Sequence, residues 1–254
     1  MSINLRGLVA RMTKKRWIIA GVGLVVLVLL AAGCWFFYAR KTVPAFPIDP
    51  SDHITSWSFK GAYTGQSQFV QKGTADIAHL RSFLNTGKYD NYDLYIGIGN
   101  DDVLLGDGRA AYRNYDRAIS LYPNKGLAYT DLAVLMNDIG ARYTAADAYA
   151  KAVAVEPSVL EYHLERLTFL TSYFATDTPR VTAALTAASN QFGDIAQVLA
   201  IEAEWLTGQG RYADAIKAWQ RAILISPGRD TSAMQQAITQ LKAKEAQAAA
   251  LPAK

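Results

Sequence analysis

Side chains able to do chemistry are few in this 254-residue chain, and their spacing does not bring them together. His53, His79 and His163 are scattered, and none has a histidine or carboxylate three or four residues further on to make a metal pair. Glu161 and Glu165 bracket His163, an arrangement expected on a solvated helix face. Asn100-Asp101-Asp102 and Gly106-Asp107-Gly108 have the composition of a calcium loop. They lack its Asp-x-Asp-x-Asp-Gly order and late glutamate. There is no Gly-rich phosphate loop, no Gly-x-Ser-x-Gly elbow and no Cys/His cluster. No nucleophile is set beside a base. The sequence thus predicts no enzyme, no metal and no cofactor. A catalytic site would need to lie in 52–91, the one region that the repeats described below leave unexplained.

Cys34 is the only cysteine, so no internal disulfide can form. It lies in Trp17 to Ala39, 23 residues without a charge. At about 1.5 Å per helical residue such a run covers the roughly 30 Å hydrocarbon core of a bilayer. Trp17 flanks one end and Trp35, Phe36, Phe37 and Tyr38 the other, as an aromatic belt would. Five basic residues precede the run and two follow it, which puts residues 1–16 in the cytoplasm and 42–254 across the membrane, periplasmic or extracellular. The run Leu30-Ala31-Ala32-Gly33-Cys34 also resembles the lipobox of bacterial lipoproteins, in which the cysteine is lipidated after cleavage. Against that stand Ala31, where leucine is usual, and an apolar stretch that continues to Tyr38. A signal anchor is the expected form, with a lipid anchor at Cys34 as the alternative. The apolar residues Leu5, Leu8, Val9 and Met12 fit either a short surface helix or a disordered basic lead.

Charge is divided along the chain. Residues 1–41 hold seven basic residues and no acid, while the rest hold 19 basic and 22 acidic, so +7 and −3 make the net +4. The folded part therefore has no basic excess for nucleic acid. Pro44, Pro47 and Pro50, three apart, suit a polyproline II stalk or a plain proline-broken loop over 42–51. Ser56 to Thr64 fits a short strand or an irregular segment packed on the first helix. Thr74 is a candidate N-cap for a helix over 74–86, with Ile77, Leu80, Phe83 and Leu84 on one face and Gly87 as the stop.

From there the chain repeats. Gly106, Ala111, Tyr115, Ala118 and Pro123 recur 34 residues later as Gly140, Ala145, Tyr149, Ala152 and Pro157. They recur again, 70 residues further on, as Gly210, Ala215, Trp219, Ala222 and Pro227. Alanines let two helices approach, a ring fills the gap between turns, glycine permits a tight reversal and proline ends the helix. The units fall at about 92–125, 126–159, 160–195 and 196–229. The third is divergent: it has no turn glycine or closing proline, and Thr178 reads as the N-cap of its second helix with Pro179 at the first helical position. Residues 231–247, with Met234, Ile238 and Leu241 on one side, read as a closing helix.

This pattern resembles the tetratricopeptide repeat (TPR) family, in which aromatic-x2-Leu-Gly-x2-Tyr is followed by Ala-x3-aromatic and Pro. Departures are Asp102 at an aromatic position, Glu202 at a leucine, and Ala133 and Ala203 for a small glycine. The resemblance implies an all-α solenoid of about three to four helical hairpins behind a membrane anchor, of bacterial type. It implies a scaffold that binds a protein or peptide, with no small-molecule substrate. By register its groove would include Asp93, Ile96, Asn100, Thr130, Val134, Asn137, Asp138, Ala200, Glu204 and Thr207. That set is polar and mildly acidic, so a neutral or basic partner is expected. A stable subunit of an envelope complex, such as a pilus, secretion or outer-membrane assembly, is the alternative.

Overall fold

Alanine at the close approaches and, in three of the four hairpins, glycine at the turn yield paired helices. The computed structural model describes residues 46–250, ten helices among them and no strand. The apolar run 17–39, Cys34 and Pro44 lie outside the described residues. No helix among the described residues is long and apolar enough to cross a membrane.

A first helix, α1 (Ser67–Phe83), packs on the first hairpin, α2 (Asn91–Leu105) with α3 (Gly108–Leu121). Then come α4 (Leu127–Asp138) with α5 (Arg142–Val155), α6 (Leu160–Tyr173) with α7 (Thr178–Phe192), and α8 (Ala196–Gly208) with α9 (Tyr212–Leu224). The last helix, α10 (Ser232–Ala250), packs on α9. Each second helix also touches the first helix of the next hairpin at α3–α4 and α5–α6, the neighbour-to-neighbour packing of a solenoid.

Ala111, Ala118, Ala145, Ala152, Ala215 and Ala222 have no exposed surface. Tyr115 and Tyr149 are buried between them, and Trp219 is half-buried near the end of the array. A Cβ on Gly99 would stand 2.5 Å from the Tyr115 ring, so glycine lets that ring lie flat on α2. Gly106, Gly140 and Gly210 hold the three turns at φ of +80°, +84° and +71°. Pro123, Pro157 and Pro227 are exposed just past the ends of α3, α5 and α9.

Four expectations from the sequence need correction. Helix α1 begins at Ser67, seven residues before Thr74. Thr74 lies inside it, its hydroxyl donating to Val70 O (2.8 Å) rather than capping. The cap of α7 is Asp177, which accepts from Arg180 N (3.2 Å), so Thr178 is already helical. His163 is buried at 3% exposure, its Nε2–H donating to Pro157 O (3.0 Å) and its ring edge-on to Phe192. Burial holds its pKa below the ordinary value.

The fourth concerns 46–63: of the alternatives, the plain loop and the irregular segment hold and the stalk and the strand do not, because the segment is a strap packed on α3 and α5. Phe46 N donates to Asp116 Oδ1 (2.9 Å) and Phe46 O accepts from the Tyr112 hydroxyl (2.6 Å), which ties the segment to α3. A turn at 49–52 interrupts any polyproline run. Asp52 then reaches α5, accepting from Tyr143 N (3.1 Å) and Thr144 N (2.7 Å). The residue preceding α5 is Ala141, which has no side chain to cap it, so a carboxylate from 91 residues earlier satisfies those first-turn amides. Trp57 packs edge-on to Tyr112 at 5.3 Å under Arg109, and its carbonyl accepts from Gly108 N (2.9 Å) at the start of α3. Ser58 makes one isolated antiparallel bridge to Asp107.

Candidate interaction groove

The first helices of the hairpins set the spacing of the groove. Helix α4 packs directly on α2, and α8 on α6, but α4 and α6 stand further apart. The gap coincides with the divergent third hairpin. Four residues, 174–177, separate its helices, against two in the first hairpin. The Trp205 indole N–H and Gln209 Nε2 both donate to Ala175 O (2.8 and 2.9 Å), holding that turn on α8.

The opening forms a cleft of about 370 Å³ between α4 and α6. Val134 and Asn137 come from α4, and Glu161, Leu164, Glu165, Thr168 and Ser172 from α6. Its floor is aromatic: the Tyr149 and Phe169 rings lie 5.2 Å apart, and so do those of Phe169 and Tyr173. Burial pushes the Tyr149 phenol up to about 12, with help from the charges of Glu165, Asp138 and Asp131. Burial and, secondarily, the charge of Glu165 push Asp131 up to about 6. Burial and the charge of Glu161 raise Glu165. Partial desolvation of its carboxylate raises Asp138 as well, although the residue itself is exposed. Asp131 lies one turn before Val134 on the same face of α4. This is an acidic trough on an aromatic base, with no cation in its lining.

The structure divides the residues read from sequence register. Val134, exposed at 43%, and half-buried Asn137 line the cleft. Asp138 is exposed at the end of α4. Glu204 and Thr207 line a second cleft of about 260 Å³ with Trp219 and α10, and Ala200 is half-buried on α8. Asp93 and Asn100 are exposed on α2, where Asn100 Oδ1 accepts from the Tyr115 hydroxyl (2.6 Å). Ile96 and Thr130 do not line a groove: they are buried at 7% and 4%. Helices α2 and α4 meet directly, so those register positions become interface, and the Thr130 hydroxyl turns back to Gly126 O (3.4 Å).

Register reasoning missed the α6 wall and the Tyr149–Phe169–Tyr173 floor. The third unit has no glycine or proline to anchor a register. Its signal was the stripe Glu161, Leu164, Glu165, Thr168 and Ser172, the i, i+3, i+4, i+7, i+11 pattern of one helix face.

The calcium-like stretches serve the fold. Asp107 caps α3 by accepting from Ala110 N (2.9 Å). Asp102 is buried, accepts from Asn114 Nδ2 (2.7 Å) and is pushed up to about 6, mainly by burial. No group of three potential metal ligands occurs among the described residues.

No protein-family model matches the chain, and none of the curated proteins does. Among solved structures it is similar to two crystal structures of MamA, each with a TM-score of 0.49. One is 20% identical over 61% of this chain and 83% of that chain. The other is 14% identical over 62% of this chain and 91% of that chain. It is also similar to yeast Tom70, with a TM-score of 0.49 and 17% identity over 71% of this chain. That match spans 40% of the Tom70 chain. At this level of likeness nothing about partner or activity transfers to this chain.

Proposed function

We propose that this chain is a membrane-tethered scaffold whose hairpin array holds a peptide or partner domain in the groove lined by α2, α4, α6 and α8. The observation that carries this reading is the cleft between α4 and α6. Two rigid hairpins wall it, aromatic rings floor it, and its acids have no ion-pair partner among the described residues. A neutral or basic segment suits its charge.

The tether follows from the apolar run 17–39 and its charge flanks, which place the array on the extracytoplasmic side.

The test uses the full chain, extracted in mild detergent after cross-linking. A partner recovered with the wild type should be lost from Val134→Arg/Thr168→Arg, with an unchanged helical circular-dichroism spectrum. A partner held equally by both proteins refutes the groove. Membranes washed with carbonate should retain the chain, and its release refutes the tether. Intact mass separates the two anchors, because lipidation at Cys34 would remove residues 1–33 and add a lipid.

A further inference from the structure

The array contains ion pairs, but not where its acids are most buried. Arg180–Asp177, Arg211–Asp214, Lys217–Asp214 and Arg221–Asp194 all lie at α7, α9 and the loops beside them. Glu165 and Asn137 line the cleft, and Asp131 lies just outside its lining, one turn before Val134 on α4; Asp131 Oδ2, Asn137 Oδ1 and Glu165 Oε2 are closed off from solvent and accept no hydrogen bond. A buried carboxylate oxygen without a donor is costly, and neither acid is in an ion pair among the described residues. An incoming segment that supplies donors would offset that cost. The same cleft offers a ring surface on Tyr149 and Phe169, beside Tyr173, whose ring already carries the Arg142 guanidinium (4.5 Å), and apolar side walls at Val134 and Leu164.

Building on the scaffold reading above, we propose that the cleft captures its partner through an arginine, with the guanidinium set on Glu165 beside the Asp131 carboxylate, over the Tyr149–Phe169 floor, and a neighbouring apolar side chain against Val134 and Leu164. The guanidinium carries five donors in a planar fork, enough for two carboxylates at once. It sheds water more readily than an ammonium and stacks on aromatic faces, so it fits this floor better than lysine does. An acidic segment would meet repulsion, and an apolar one would leave both carboxylates without donors.

The test selects peptides from a phage-displayed random dodecapeptide library on the full chain in detergent at about pH 7.5. It is repeated on Asp131→Asn/Glu165→Gln and on Val134→Arg/Thr168→Arg, which blocks the cleft. Peptides retained by the wild type and lost from the blocked variant should share an arginine beside an apolar or aromatic residue. Replacing that arginine with citrulline, or using Asp131→Asn/Glu165→Gln, should weaken binding roughly thirtyfold or more, as when one side of a buried charge pair is removed. Asp131→Asn/Glu165→Gln should melt at or above the wild-type temperature, since it deletes unpaired buried charge. Cleft-dependent peptides without arginine overturn the proposal and leave the scaffold reading intact. So does unchanged affinity in that variant, or a lower melting temperature, which would mean that the two acids serve the fold. If no peptide depends on an open cleft, the scaffold reading falls together with the proposal.

Discussion

At the scale of single residues, this fold uses acids in two opposite ways. Asp52 is spent on stability: it caps α5 in place of Ala141. Asp52→Ala should cost about 1–2 kcal/mol, as loss of a helix cap does, read by denaturant unfolding. Asp131 and Asp102 work against stability when ionised. Both are pushed up to about 6 by burial, above the ordinary carboxylate value, so the folded state binds their protons more tightly than the unfolded chain does. Their contribution is fully present below about pH 4 and is lost as pH rises through about 6. Burial raises Asp101, Asp138, Asp147, Glu165 and Glu202 in the same direction. His163, held neutral by burial, opposes them on acidification. The acids outnumber it, so the melting temperature should be higher at pH 5 than at pH 7.5. Asp131→Asn should narrow that difference, and an unchanged difference would show that Asp131 is not titrating in this window.

At the scale of elements, the hairpins depend on contacts with no slack. Ala118 and Ala152 are wholly buried where helices meet. Ala118→Trp or Ala152→Trp should cost on the order of 1–3 kcal/mol or more through overpacking, and the loss should show as an earlier, less cooperative helical melt. The strap is seated as tightly. A Cβ on Gly61 would stand 2.3 Å from Leu104 O and 2.5 Å from Gly106 N, and Gly106 itself turns at φ +80°. Gly61→Ala should therefore lift the strap from the α2–α3 turn. Limited proteolysis should then cut within 46–63 faster than in the wild type, and equal rates would show that the strap tolerates the methyl group.

At the scale of the whole array, a solenoid loses stability locally because each hairpin touches only its neighbours. Phe46 and Trp57 clasp the first two hairpins, Phe46 against Tyr129 and Asp116 and Trp57 against Tyr112. Phe46→Ala/Trp57→Ala should speed amide exchange in α3 and α5 while leaving α8 to α10 near their wild-type protection. Uniform acceleration along the chain would instead mark the array as one cooperative block.

That the folded part is a series of helical hairpins was legible in the order of residues alone. Alanine, aromatic, glycine and proline each have a local reason to stand where they do, and those reasons repeat at a fixed interval. Local rules do not reach between hairpins, and there the tertiary structure decided. That Ile96 and Thr130 are interface while Glu161 and Thr168 face a cleft depends on how far α4 stands from α6. That 46–52 is a strap depends on partners on α3 and α5 some 70 to 92 residues away. A spacing of prolines shows how a segment prefers to extend, but contacts that distant decide whether it stays free, because their energy comes from surfaces that exist only once the hairpins have stacked.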